Sequence, residues 1–367
     1  MASAISEHGV TEAGGSYNVH AQVPAGGGIL ALPYLEKAAH SCTLAPGSDP
    51  IVVADYGSSQ GKNSLAPMRA AIRCLRLRVG SERPITVIHV DQHANDFNTL
   101  FDLLHSDPER YSGDDPNVFP SGIGRSFYEN VYPDEQVSLA WCSYAAVWLS
   151  RVPALIPDHF VAFGSTAEAR ALFDRQAADD WRLFLSLRAR EMRPGGRLVV
   201  VLPGLSDAGV LGLEPLFNFA HAILEELVHQ RVISDDERKQ MVLGAYPRRR
   251  AQLLEPFSSD GQFRSLSVER CELFDLPDAA WTDYQLDGDV QALVSRHAAL
   301  FRAIFVPSLA SVIDDADRRL GFADCLERRL KQRLSERPSP LHSFVQVIVL
   351  AKESAPVTHP LRSDRLK

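Results

Sequence analysis

The fold class this sequence predicts is α/β: a doubly wound, mostly parallel sheet with a helical cap over its ligand crevice. Three observations predict it. Short apolar runs bounded by turn residues recur along the chain, as buried parallel strands do. Segments with apolar residues three and four apart, the mark of helix faces, separate them. From about 205 to 320 helical periods and repeated prolines take over, before a last apolar run at 343–351. Seven to eight strand candidates with helices between them make one sheet, and a late helix-rich insertion covers the crevice where such sheets bind ligands.

The first strand is Ile51-Val52-Val53-Ala54, entered after Pro50 and ended by Asp55. A turn of Gly, Ser and Asn follows, and Leu65, Met68, Ala71, Ile72 and Leu75 then share a helix face. Strand, glycine turn and helix set backbone N–H groups against an anionic or polar ligand. Gly57 and Gly61 stand four apart, so the Gly-x-Gly-x-x-Gly of a dinucleotide site is absent. Asp55 would reach the crevice, where a carboxylate repels a pyrophosphate but suits a ligand bearing an ammonium and a sulfonium. S-adenosylmethionine (SAM) is such a ligand; an ordinary turn with a solvated aspartate is the other reading.

Upstream, 29–40 reads as a helix, and the first dozen or so residues read as disordered. A second strand, 84–90, ends at Asp91, where an acid hydrogen-bonds ribose hydroxyls in α/β nucleotide sites. Asn95 or Asp96 caps the next helix. The stretch 106–126, full of Gly, Pro and Asp, reads as loop, and 137–142 as the third strand. Trp148 follows on an apolar helix start. A long amphipathic helix at 164–192 carries Phe173, Trp181, Phe184 and Leu187 on one side, and Pro194-Gly195-Gly196-Arg197 turns into a strand at 198–202. Helices are expected at 217–231, 235–244, 249–254, 289–305 and 308–335, with a strand at 263–274 and the last at 343–351. The domain division is 1–28, a flexible segment closing over the site; 29–204 with 336–367, the sheet domain; and 205–335, the helical cap and substrate domain.

Composition excludes several classes. The chain has 367 residues, enough for a large single domain or two, with 45% apolar and 23% charged content, ordinary for a globular protein. A net charge of −8 and a pI near 5.8 argue against nucleic acid. The one basic run, Arg248-Arg249-Arg250, reads as a solvated helix start. Five cysteines without a CxxC pair fit reduced, buried thiols and no metal site. No leader pattern and no apolar run approaching 18 residues is present, and the expected location is cytoplasmic. His93, His159, His221 and His342 read as surface or packing residues.

Four stretches together resemble one family: Ala54-Asp55-Tyr56-Gly57-Ser58-Ser59-Gln60-Gly61-Lys62-Asn63, His89 through Phe101 with Asn95-Asp96-Phe97-Asn98-Thr99-Leu100-Phe101, Ser126-Phe127-Tyr128-Glu129-Asn130-Val131-Tyr132-Pro133, and Ser143-Tyr144-Ala145-Ala146-Val147-Trp148-Leu149-Ser150-Arg151-Val152-Pro153. They resemble the SAM-dependent carboxyl and N-methyltransferases of the salicylate, benzoate and theobromine synthase type, which include bacterial enzymes acting on fatty and aromatic acids. The Asn-Asp-Phe-Asn-Thr-Leu-Phe and Trp-Leu-Ser-x-Val-Pro segments are specific; the glycine turn is not. The resemblance implies a Rossmann-like class I methyltransferase sheet and SAM as cofactor. It also implies residue roles. Asp55, Gly57 and Asn63 would meet the methionine end of SAM, Asp91 the ribose, and Gln92, Ser126 and Phe127 the adenine. Tyr17, in the Ser16-Tyr17 motif, belongs to the same cofactor site. Tyr144, Val147 and Trp148 would line the acceptor pocket, with the Trp148 indole donating to the acceptor carboxylate. At the N-terminus the family's second serine falls on Ala21, and its carboxylate-binding glutamine is matched by Gln22 in a shifted register, with His20 the alternative.

The acceptor implied is a small carboxylic acid. Such an acid, with a pKa of about 4–5, is ionised at neutral pH, so no general base is needed. Positioning by Trp148 and Gln22 and removal of water remain as the work of the site. The cap contributes Leu211, Leu213, Leu216, Phe217, Phe219, Ile304, Phe305 and Val306, all apolar and without a basic cluster. A hydrophobic monocarboxylate is therefore expected. The Ala- and Arg-rich composition reads as bacterial, which favours a medium-chain fatty acid over a benzoate- or salicylate-like acid. An N-methyltransferase of a small heterocycle and a non-catalytic SAM- or ligand-binding module are the rival functions, and a homodimer is left open.

Overall fold

In the computed structural model the described residues are 18, 22–113, 115–156 and 158–353, with Gln22 described by its backbone. Two helices, α1 (Gln22–Leu30) and α2 (Leu32–Ser41), lead into β1 (Ile51–Tyr56), α3 (Lys62–Val79), β2 (Ile85–Asp91), α4 (Phe97–Ser106), β3 (Val118–Gly124) and β4 (Val137–Ser143). There follow α5 (Ala167–Glu191), β5 (Met192–Pro203), α6 (Glu214–His229), α7 (Asp235–Gln240), α8 (Arg250–Leu254), β6 (Gln262–Phe263) and β7 (Leu266–Leu276). The chain continues through α9 (Ala279–Asp287), α10 (Val290–Ala310), α11 (Ala316–Glu336) and β8 (Ser343–Lys352).

One eight-stranded sheet runs in the order β3-β2-β1-β4-β5-β8-β7-β6. The first five strands are parallel, and β8 inserts antiparallel between β5 and β7. The alternation of side chains along β1 divides the core in two. Val52, Ala54 and Tyr56 pack with Trp181, Phe184 and Leu185 of α5. Ile51 and Val53 face the other way, toward Leu35 of α2 and Met68 and Leu75 of α3. With both faces covered, β1 is buried at every position. The sheet reverses its winding between β1 and β4, and the ends of these strands and of β2 open the crevice in which such folds bind ligands.

The structure corrects several sequence-based expectations. Residues 118–124, read as loop, form β3; it is an edge strand with Pro120 and Ser121 and a half-exposed pattern, so no apolar run marks it. The cap at 205–335 is not one block, because β6 and β7 fall inside it and belong to the sheet. Its helices come instead from two insertions, one before β6 and one after β7, and they share a core of Phe217 and Leu227 from α6, Phe301 from α10 and Phe322 and Leu326 from α11. Helix α10 runs through Pro307 to Ala310, and α11 starts where the Asp315 side chain accepts from the N–H of Arg318. Helix α10 is also long and apolar enough to cross a membrane by length and composition, and it packs within the cap core. Trp148 lies on no helix but in an isolated bridge to Ala245. Arg248 is not solvated: it is 2% exposed.

Candidate active site

Where β1 leaves the sheet, the backbone turns at Gly57 with φ of +83°, and a Cβ there would lie 2.0 Å from the Ala145 Cβ. Only glycine lets the turn and the loop after β4 approach so closely. Asp91, at the end of β2, braces the turn: its Oδ2 accepts from the N–H of Ser59 at 2.7 Å and its Oδ1 from that of Gln92 at 2.8 Å. Burial, partly offset by those two bonds, raises the Asp91 carboxyl to about 6. The Asn95 amide donates to the Ser59 carbonyl at 2.9 Å, and Asn18 reaches the turn from the N-terminal segment, accepting from the N–H of Lys62 at 3.3 Å.

Asp55, 2% exposed, uses Oδ2 to meet Nδ1 of His89 at 2.9 Å. Behind it, Nε2 of His89 lies 2.7 Å from the Tyr111 hydroxyl. The Asn63 amide nitrogen and the Ser58 hydroxyl are buried without a partner among the described residues. Two acids at adjacent strand ends, a glycine cradle and unpaired polar atoms are the features that a ligand with an ammonium, ribose hydroxyls and a carboxylate requires, so the residues fit SAM.

Ser126 and Phe127 flank this crevice. The Ser126 hydroxyl accepts from the N–H of Tyr128 at 3.2 Å. The Phe127 ring is 9% exposed and packs edge-on against Phe184, so most of it belongs to the core. Its loop is clamped by a buried pair that the sequence did not reveal: Arg188 donates to the Phe127 carbonyl at 2.7 Å and to Glu191 at 2.9 Å.

Beyond β4, Tyr144 takes φ of +57°, a conformation rare for a non-glycine residue. It aims the loop 144–150 into an apolar pocket between sheet and cap. Three contacts, one buried and two partly buried, pin that loop. Arg248 holds the Ala146 carbonyl at 2.6 Å, the Tyr128 hydroxyl donates to the Trp148 carbonyl at 2.6 Å, and Asp180 accepts from the Ser150 N–H at 2.8 Å. Tyr144, Val147, Trp148, Phe217 and Phe305 all line the pocket, together with Leu211, Leu213 and Ile304 of the cap. Leu216, Phe219 and Val306 do not; they pack into the cap core. The indole of Trp148 stands 6.5 Å from the Phe305 ring, centroid to centroid. Among the described residues that line it there is no Lys, Arg, His, Asp or Glu.

Sequence reading missed Val161 and Phe163, which enter the pocket from a segment without periodicity, and Leu243 and Ala245, which lie in an extended stretch between α7 and α8. Helix α1 closes one side with Val23 and Pro24. A Cβ on Gly27 would lie 2.4 Å from the Tyr144 hydroxyl, so α1 rests directly on that ring. Tyr17 and His20, and the side chain of Gln22, lie outside the described residues. His159, between β4 and α5, stacks at 4.4 Å on His221 of α6, and burial lowers His159 to about 4, as suits packing histidines. Among the described residues no cluster of His, Cys, Asp or Glu could hold a metal.

A sequence model described as SAM dependent carboxyl methyltransferase matches residues 4–353. Loganic acid O-methyltransferase of Catharanthus roseus is 30% identical over 215 residues, 54% of this chain; the match spans about half of that relative, 55%. Salicylate carboxymethyltransferase of Clarkia breweri is 24% identical over 319 residues, 82% of this chain and 84% of that protein. Among solved structures, a loganic acid methyltransferase with S-adenosylhomocysteine (SAH) superposes with a TM-score of 0.76 at 24% identity, covering 96% of this chain and 100% of the other. At that identity the likeness is one of fold.

Proposed function

This chain belongs to the SAM-dependent carboxyl methyltransferase family, and from that premise we propose that it converts a small hydrophobic carboxylic acid into its methyl ester, a medium-chain fatty acid in the first place and a benzoate- or salicylate-like acid next. The observation that carries the proposal is the pocket beside Trp148, predominantly apolar and, among the described residues, without a charged lining residue. A cation there would stabilise the free carboxylate and blunt its nucleophilicity. A dry apolar wall does the reverse, stripping water from an anion that needs no base to form.

SAM supplies a methyl group on a sulfonium, for which a neutral thioether is the leaving group. The protein's part is to hold and orient. Asp55, Gly57 and Asn63 take the methionine end, Asp91 the ribose, and Gln92, Ser126 and Phe127 the adenine, with Tyr17 closing the cofactor site. The indole N–H of Trp148, which donates to no described residue, and the Gln22 amide hold one carboxylate oxygen in line. Such positioning lowers a barrier by up to ~7–11 kcal/mol. Tyr144, Val147, Phe217 and Phe305 enclose the tail. The first 28 residues act as the closing segment, a reading supported by Asn18 on the glycine turn and by Val23 and Pro24 in the pocket wall. The free cysteines suit a cytoplasmic enzyme.

The lining offers no described charged partner for a second acidic group, which favours a monocarboxylate; fatty acid ranks above aromatic acid on the Ala- and Arg-rich composition, and a methylene more or less changes binding by only ~1–3 kcal/mol. A panel of saturated C6–C12 acids against benzoate and salicylate, with methyl-labelled SAM, tests this. Ester formation greatest within the aliphatic series is the expected result. Labelled ester from none of these acids would overturn the acceptor class.

A further inference from the structure

We propose that His89, steadied by Tyr111, is a positioning residue for the cofactor: it fixes the Asp55 carboxylate so that its other oxygen meets the ammonium of the SAM methionine end. This rests on the reading of Asp55 given above. Asp55 and His89 are register partners on β1 and β2, so their side chains leave the same face of the sheet. The chain of contacts is short and buried. His89 Nδ1 lies 2.9 Å from Asp55 Oδ2, and His89 Nε2 lies 2.7 Å from the Tyr111 hydroxyl. The three residues are 2%, 0% and 6% exposed in the order Asp55, His89, Tyr111. In the sequence, His89 interrupts the apolar run Val87-Ile88-His89-Val90, where packing alone calls for another aliphatic residue.

Hydrogen-bond accounting fixes the protons. An ionised carboxylate only accepts, so Nδ1 carries the hydrogen that joins His89 to Asp55. Burial raises the Tyr111 hydroxyl well above its ordinary range, so it keeps its proton. Nε2 of His89 is the one hydrogen-bond partner of that hydroxyl among the described residues. Tyr111 therefore donates and His89 accepts, which makes the imidazole neutral. An imidazolium would turn a second N–H on the phenol oxygen and leave the phenol proton without an acceptor among the described residues, in a buried place. Neutrality matters for the cofactor. A charged His89 would cancel Asp55, whereas a neutral one orients the carboxylate and leaves its full negative charge to an ammonium. Oδ1 of Asp55 accepts from no described residue, so one oxygen is held and one is left for the ligand.

The test measures binding of two ligands to the full chain at a pH of about 8, above the Asp91 titration. The ligands are SAH, which has the amino-acid end, and 5′-methylthioadenosine, which lacks it. His89→Leu is expected to weaken SAH on the order of 10-fold while 5′-methylthioadenosine changes by less than about twofold. His89→Asn, which keeps an N–H at the Nδ1 position, is expected to recover most of the loss. Tyr111→Phe removes one hydroxyl and is expected to shift the SAH ratio in the same direction by about threefold; it decides the matter if His89→Leu does not fold. Equal weakening of both ligands, or SAH binding at the parent level, overturns the inference. Asp55→Asn separates the two readings. If it too leaves SAH binding untouched, the assignment of Asp55 has failed and takes this inference with it. If it weakens SAH while the His89 and Tyr111 variants do not, only the positioning role has failed.

Discussion

Arg248 Nη1 donates to the carbonyl of Ala146 at 2.6 Å, two residues before Trp148 in the chain. The same guanidinium donates to the Ala177 carbonyl at 2.8 Å through Nη2 and lies over the Trp181 ring. Burial disfavours the charged guanidinium, and this desolvation lowers the Arg248 pKa. Its planar fork is what lets one side chain hold two carbonyls on different elements. Arg248→Met is expected to leave those carbonyls unpaired, at roughly 1–3 kcal/mol each, measurable by chemical unfolding. Because the loop it releases carries Trp148, kcat/KM for the acid should fall on the order of 10-fold or more. SAH affinity should fall by less, since the guanidinium hydrogen bonds of Arg248 go to Ala146 and Ala177 and to none of the residues assigned to the cofactor. Arg248→Lys, able to reach one carbonyl but not both, should lie between.

Trp148→Phe keeps an aromatic wall toward Phe305 and removes the indole N–H. If that N–H holds an acceptor carboxylate, its loss costs about 1.5–3 kcal/mol, or roughly 10- to 100-fold in kcat/KM for the acid. The KM for SAM should not move. Steady-state kinetics with each substrate varied in turn reads both numbers, and an unchanged kcat/KM for the acid would remove Trp148 from the machinery.

Sequence reading was most successful where one element decides its own structure. Ile51–Ala54 is apolar on both faces because helices cover both, so its run announces a central strand regardless of what packs there. The capping carboxylate of Asp96, bonded to the Thr99 N–H at 3.0 Å, is equally local. What failed is what only distant partners determine. Arg248 looks like part of a solvated basic run until residues 71 and 102 positions away supply its carbonyls. His89 reads as an interruption because Tyr111 comes from the segment after α4. The edge strand β3 pairs on one side only, so it needs no apolar face and carries none. Of the lining of the pocket between sheet and cap, the residues on the Tyr144–Trp148 loop and the cap aromatics were legible; Val161, Phe163 and Leu243 were not, since they reach it from irregular stretches.

Phe305 is the cap residue best placed to set the length of the acceptor. Its ring is 5.0 Å from that of Phe217 and 6.5 Å from that of Trp148, so it closes the space between cap and loop. Phe305→Ala opens that space and leaves the Trp148 indole N–H in place. In competition assays the ratio of kcat/KM for a C12 acid to that for a C8 acid should rise by on the order of 10-fold. Thermal stability should drop, though by less than the ~3–5 kcal/mol of a fully buried phenylalanine, because Phe305 is only partly buried. An unchanged ratio would place the end of the acyl chain elsewhere.

Asp91 should make both stability and cofactor binding depend on pH, with opposite signs. Its carboxyl ionises at about 6 in the fold against 3.8 ordinarily, desolvation being the main cause. Between those values the folded protein holds a proton that the unfolded chain has released, so this group favours folding at low pH and the benefit is lost as pH rises through about 6. At neutral pH the free enzyme therefore keeps a carboxylate in a poorly solvated place. Ribose hydroxyls donating to it would supply the hydrogen bonds that water no longer does. Bound ligand should accordingly lower the Asp91 pKa, and binding near pH 6 should release a fraction of a proton, seen by calorimetry in two buffers of different ionisation enthalpy. SAH affinity should fall by up to about 10-fold per pH unit below that point, while the unliganded enzyme, as far as this group is concerned, grows more stable. Asp91→Asn should flatten the affinity profile and abolish the buffer dependence. Proton release identical in the parent and this variant would show that another group carries the linkage and that the ribose does not lie on Asp91.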